Sequence, residues 1–164
     1  MKEFEKLVEQ YTSFVMSVCL SFMKHREDAE DACQEVFLKI WKTKSGFLDR
    51  SKYTTWLYSI ARNTCLDILK KNSRHEHDEI PETLPDNGTS PESRLIEKEF
   101  EEAVYSALEE LDTDMKTVLL LREKAGLSYT EIASLLAISE GTVKSRISRA
   151  REKLMKILRE KNIT

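Results

Sequence analysis

The sequence predicts an all-α protein, with two small helical domains joined by a flexible acidic linker. Three observations carry that prediction. Apolar residues recur at helical spacing on either side of residues 72–93. The three prolines, Pro81, Pro85 and Pro91, fall inside that interval with Asn87-Gly88, and its only sizeable apolar residues are Ile80 and Leu84. The charge is divided as well. Residues 1–75 hold 13 basic and 10 acidic side chains, residues 76–114 hold 2 and 14, and residues 115–164 hold 11 and 5. The net charge of −3 hides two basic blocks around an acidic one, and local patches govern attraction to phosphates. The domains are expected at 1–72 and 93–164, with the linker at 73–92. The linker's acidity reads first as a solvated spacer, and alternatively as a cover for the basic faces.

In the first domain, Phe4, Leu7, Val8, Tyr11, Phe14, Val15, Val18, Cys19 and Phe22 form one stripe of a first helix. A second helix is expected over residues 28–41, with Ala29, Ala32, Cys33, Val36, Phe37, Ile40 and Trp41 inward. Glu27, Asp28, Glu30 and Asp31 suit the positive end of its dipole. Asp31, Gln34, Glu35 and Leu38 fall on its outer side, as solvated surface or as a docking face. Gly46 breaks the pattern, and residues 47–53 read as a loop with aromatic and basic residues. A third helix is expected from Trp56 to about Lys71, with Trp56, Leu57, Ile60, Ala61, Thr64, Cys65, Ile68 and Leu69 inward. Arg62, Asn63, Lys70 and Lys71 then face out. Residues 50–74 hold six basic side chains and one acidic. Rings beside Lys and Arg are the chemistry of unstacked nucleic acid, because rings stack on bases while cations follow phosphates. Phe47 and Tyr53 are the better placed rings, since Trp56 reads first as core.

The second domain opens with a helix from Pro91 to about Leu111, capped by Ser90. Leu95, Phe100, Val104, Ala107, Leu108 and Leu111 form its stripe. A helix from Asp114 to Lys124 follows and ends at Gly126. Ser128-x-x-Glu131 is a capping box for the next helix, with Ile132, Ala133, Leu135 and Leu136 inward. Ala137-Ile138 makes a turn, and Ser139 is a natural N-cap for a final helix. Val143, Ile147, Ala150 and Leu154 recur inward along it. Ser139, Thr142, Lys144, Ser145, Arg146, Ser148 and Arg149 are left outward or at its start. Residues 139–164 hold eight basic side chains and three glutamates. Two capped helices with a short turn, the second basic, are the form that enters a DNA major groove.

Other classes find little support. No run of apolar residues is long enough to span a membrane, and the charged start, Met1-Lys-Glu-Phe-Glu-Lys, lacks a signal-peptide core. Cys19, Cys33 and Cys65 lie in apolar helical patterns and read as small core residues of a protein in a reducing cytoplasm. His75 and His77 beside Asp78 and Glu79 lack the rigid frame of a metal site. No cofactor or metal is called for, and no cluster of catalytic groups marks an enzyme.

The segments Asp28–Phe37, Tyr53–Asp67, Gly126–Ala133 and Gly141–Arg151 together resemble the extracytoplasmic-function group of the sigma-70 family of bacterial RNA polymerase sigma factors. The resemblance covers nearly everything except the linker. It implies a region 2 domain followed by a region 4 domain, with neither region 1.1 nor region 3. It implies that Asp31, Gln34, Glu35 and Leu38 dock on the clamp helices of the largest core polymerase subunit. Phe47, Lys52, Tyr53, Trp56, Arg62, Asn63 and Lys70 would melt and read the −10 element, with a non-template base flipped into the loop's pocket. Ser139, Thr142, Lys144, Ser145, Arg146, Ser148 and Arg149 would bind the −35 duplex, with region 4 on the polymerase flap. Such a chain would work in the cytoplasm, at the nucleoid when active, and be silenced by an anti-sigma factor, often membrane-bound. The alternative is a stand-alone regulator of the response-regulator type. It needs a receiver domain of alternating strands and helices, where residues 1–75 show three helices.

Overall fold

The computed structural model describes residues 1–43, 53–75 and 92–163. Among them are seven helices and no strand: α1 Lys2–Phe22, α2 Arg26–Thr43, α3 Tyr53–His75, α4 Glu92–Glu109, α5 Thr113–Glu123, α6 Tyr129–Leu136 and α7 Glu140–Glu160. The all-α class holds. Helix α3 runs on to His75, through the first residues expected in the linker. The loop residues Phe47 and Lys52, the linker prolines, the Ser90 cap and the His77 cluster lie outside the described residues.

The first bundle packs α1 against α2 and α3. Its centre is Val15, Val18, Cys19, Ala29, Ala32, Val36, Leu57, Ala61 and Cys65, all fully buried. Ala29, Ala32 and Ala61 carry only a methyl, which lets the helix axes approach closely. Cys19, Cys33 and Cys65 meet there as free thiols. A hydrogen bond with Cys65 and burial push the Cys19 thiol far above the usual thiol value. Burial pushes Cys33 up to about 11. Thiols held protonated in this way pack as small apolar groups rather than react.

Three inward assignments need correction. Trp41 is 44% exposed, and Leu69 is also exposed. Each lies in the C-terminal part of its helix, and Trp41 keeps an edge contact with Phe4 of α1. The third correction exchanges two rings. Tyr53, expected in the loop, is the first residue of α3 and is buried. Its ring packs on Tyr11 at 4.9 Å and on Trp56 at 5.4 Å, and Trp56 is the more exposed of the two.

The second bundle closes α4, α5, α6 and α7 around Leu111, Val118, Leu121, Ile132, Val143, Ile147 and Ala150. Asp112 caps α5 by accepting from the Met115 amide at 2.9 Å, which starts that helix one residue before the expected Asp114. Gly126 takes φ +75°, a conformation that strains other side chains, and reverses the chain toward α6. In α4 only the C-terminal half of the expected stripe is inward. Ala107, Leu108 and Leu111 are buried, whereas Leu95 and Phe100 are at least half exposed.

The two bundles are in contact. Helix α1 packs on α5 as well as on α2 and α3, and α3 touches α6. Ser17, Leu20 and Ser21 are buried along a second face of α1 that no apolar stripe marked. The core of the second bundle is tested at Ile132, which is fully buried in the first helix of the helix-turn-helix. Ile132→Ala is expected to cost about 2–5 kcal/mol, read as a lower denaturant midpoint with an unchanged slope.

Candidate nucleic-acid and polymerase interfaces

The helix-turn-helix is built by its caps. The Glu131 amide donates to Ser128 Oγ at 3.1 Å and starts α6. The Thr142 amide donates to Ser139 Oγ at 3.1 Å and starts α7. Between them Ala137 adopts φ 55° and ψ 45°, so the turn is a single left-handed residue. Val143, Ile147 and Ala150 then bury the inner face of α7. The 3.6-residue period leaves Thr142, Ser145, Ser148 and Arg149 on one outer face, with Lys144 and Arg146 on opposite flanks. Lys144, Ser145, Ser148 and Arg149 are exposed, and Thr142 and Arg146 are half-buried. Ser139 acts first as the cap, and its hydroxyl also lies 2.7 Å from Thr142 Oγ1.

Tyr129 is a functional neighbour that the sequence reading missed. Its ring carries Arg122 at 4.8 Å on its face and Lys144 at 5.9 Å. The guanidinium of Arg122 also donates to the Leu127 carbonyl at 3.0 Å. Thus α6 fixes one end of the Lys144 arm. An aromatic directly after a capping serine was the available signal. Arg151 instead pairs with Glu123, which raises its pKa and ties α7 back to α5.

On the first bundle, Asp31, Gln34 and Leu38 are exposed along one face of α2, and Glu35 pairs with Lys39 at 3.6 Å. Lys39 also donates to Thr64 of α3 at 3.1 Å. Beside that face lies an apolar groove of about 460 Å³, lined by Phe4, Val8, Gln34, Phe37, Leu38 and Trp41. Leu38 is 56% exposed at its edge. The Trp41 ring meets Phe4 edge-on at 4.8 Å. Trp41 therefore belongs to the surface of α2 that carries Gln34 and Leu38. A second apolar groove, about 570 Å³, lies between α4, α5 and α7 and includes Phe100, Val104, Leu119 and Leu154.

On α3, Arg62, Asn63 and Lys70 are exposed and Trp56 is half-buried. Two residues assigned to different DNA elements lie on one cleft. Arg62 of α3 and Arg146 of α7 line one polar cleft of about 260 Å³, with Tyr58, Asp114, Thr117 and Leu136. Burial raises the Tyr58 phenol, and the nearby Arg62 opposes that rise.

Among the described residues, no helix is long and apolar enough to cross a membrane.

Comparison with known proteins agrees with this layout. The sigma-70 region 2 family profile matches residues 7–75, and the sigma-70 region 4 profile matches residues 101–154. The chain is 34% identical over 168 residues to the RNA polymerase sigma-H factor of Pseudomonas aeruginosa, covering 96% of this chain and 86% of that protein. It is 35% identical over 162 residues to the ECF RNA polymerase sigma-E factor of Haemophilus influenzae, covering 92% and 85%. Among solved structures, the sigma factor RpoE from Bartonella quintana, in complex with the anti-sigma factor NepR, superposes with a TM-score of 0.67. It is 25% identical and covers 97% of this chain and 98% of its own. CnrH, in complex with the cytosolic domain of CnrY, gives 0.63 at 26% identity and covers 97% and 89%. These likenesses run through both bundles, whereas a stand-alone regulator would share only the helix-turn-helix. The response-regulator alternative is therefore set aside.

Ser139→Ala removes the α7 cap and is expected to cost about 0.5–2 kcal/mol of stability, read by thermal melting. Ser139→Asp, which restores an acceptor, should recover most of that loss.

Proposed function

The chain belongs to the extracytoplasmic-function group of the sigma-70 family, and from that membership we propose a division of labour among its surfaces. As an RNA polymerase sigma factor it directs core polymerase to promoters and initiates transcription. Asp31, Gln34, Glu35 and Leu38 dock on the clamp helices of the polymerase, and Trp41 extends that face. Arg62, Asn63, Lys70 and Trp56 act with Phe47, Lys52 and Tyr53 at the −10 element. Tyr53 serves there as the buried support of the site rather than as its exposed ring. Thr142, Lys144, Ser145, Arg146, Ser148 and Arg149 meet the −35 duplex, and Ser139 positions their helix. The groove between α4, α5 and α7 receives the polymerase flap. We assign the first domain to residues 1–75, as far as the end of α3, and the second to residues 92–164, from the start of α4.

The observation that carries this reading is the pairing of two differently built basic surfaces on one chain. One is a capped helix with its outer face free, suited to duplex. The other is a helix that carries the half-buried Trp56 together with the exposed Arg62 and Asn63, suited to opened strands. The chain works in the cytoplasm, reaches the nucleoid with polymerase, and is silenced by an anti-sigma factor that covers the docking faces. The sigma factor RpoE, solved with the anti-sigma factor NepR, supports that partner.

The test is run-off transcription with core polymerase and this chain on genomic fragments. Promoter-dependent transcripts are expected. Their absence, combined with tight independent binding to a palindrome, would overturn the reading. Arg149→Ala and Lys144→Ala should weaken −35 binding. A base contact should cost about 1–3 kcal/mol and relax sequence preference, whereas a phosphate contact should weaken all sequences alike and lower the salt slope by about one. Asn63→Ala should impair strand opening, measured by permanganate reactivity, and leave −35 binding intact. If it weakens duplex binding instead, the division of labour is wrong.

A further inference from the structure

Along α2, Asp31, Gln34, Glu35 and Leu38 lie on one side, and Ala32, Val36 and Ile40 are buried on the other. The 3.6-residue period puts Lys39 on the border between the two sides, one turn after Glu35. Its ammonium serves both. It pairs with Glu35 Oε1 at 3.6 Å. It also crosses to α3, where it donates to Thr64 Oγ1 at 3.1 Å. Lysine carries three donors on a flexible stem, so one ammonium can hold both partners at once.

The acceptor on α3 differs from the other hydroxyls of this bundle. Ser17, Ser21, Thr43, Ser59 and Ser73 each donate to a carbonyl of their own helix. Thr64 is 1% exposed, and its hydroxyl is reached from α2 instead. A valine of much the same shape would fill that place and need no partner, so packing alone does not call for a threonine there. The hydroxyl has a use if it anchors Lys39.

The anchor matters for what Lys39 holds. An ion pair between two part-exposed side chains on one helix contributes little to stability, because both chains must be ordered to make it. Here the tip of the lysine is tied to a buried group on a second helix. Its freedom is lost on folding, and Glu35 meets a charge that is already in place. An interface loses affinity for every flexible side chain that has to be ordered as it forms. A Glu35 held beforehand avoids that loss.

We propose that Lys39 is a positioning residue for the docking face: anchored on Thr64, it holds the Glu35 carboxylate ready for the polymerase. The role rests on the proposed reading of that face as the polymerase contact. The same ammonium joins α2 to α3 at the residue next to Asn63, so the docking surface and the −10 surface share one fixed point.

The test measures the affinity of the full chain for core polymerase, by anisotropy of a labelled chain, together with its melting temperature. Lys39→Met keeps the stem, removes the ammonium, and should weaken core binding about fivefold. Thr64→Val alters no exposed residue and no charge, and it should weaken core binding about threefold. Its melting temperature should be unchanged or higher, since it leaves no buried hydroxyl to satisfy. Thr64→Ser restores the acceptor and should recover the affinity that Thr64→Val loses. In a Glu35→Ala background, Thr64→Val should cause no further loss. Unchanged core affinity in either Lys39→Met or Thr64→Val overturns the proposal. So does a Thr64→Val loss that persists without the Glu35 carboxylate, because it would report a loosened bundle rather than a misplaced side chain. If Glu35→Ala itself binds core as tightly as the unsubstituted chain, the docking assignment of Glu35 fails, and the positioning role falls with it.

Discussion

Helix α1 is buried on two opposite faces at once, and the arrangement of the rest follows from that constraint. Val15, Val18 and Cys19 look into the first bundle, whereas Ser17, Leu20 and Ser21 look toward the second. The two faces differ in chemistry. The first excludes water with branched and sulfur side chains in a close-packed core, where each buried methylene contributes on the order of 0.8 kcal/mol. The second uses small hydroxyls bonded within their own helix. One face makes a domain, and the other joins the two domains through Leu20 and Leu120 as well as through hydroxyls.

The fold was largely legible because its strongest signals are local. The caps at Ser128 and Ser139, the reversal at Gly126 and the inner stripe of α7 each announce themselves within a few residues, and each forms the expected bond or burial. The second face of α1 was not legible, because serine carries no hydrophobic signal and its burial depends on a helix about a hundred residues away. The exchange between Tyr53 and Trp56 has a related cause. Sequence places both rings at the start of one helix, but only packing against Tyr11 decides which of them goes under. Leu95 and Phe100 continue an apolar period past the point where α7 covers α4. They are exposed because periodicity reports which face is apolar and not what lies against it.

The candidate site shows the same division. The outward residues of α7 could be named one by one, since a buried stripe fixes the opposite face of a helix. That Arg146 shares a cleft with Arg62 was beyond reach, because it depends on how two bundles meet. Charge completes the picture. The two basic blocks are separated by an acidic one, which weakens the field each presents to phosphates, so the basic faces gain from being delivered by a larger partner.

The central claim, that one chain carries a duplex-binding helix and a separate strand-opening helix, is most directly tested on a template already melted across −10. With core polymerase, that template should restore the transcript that Asn63→Ala loses and leave the Arg149→Ala defect in place. Rescue of both variants, or of neither, would contradict the account.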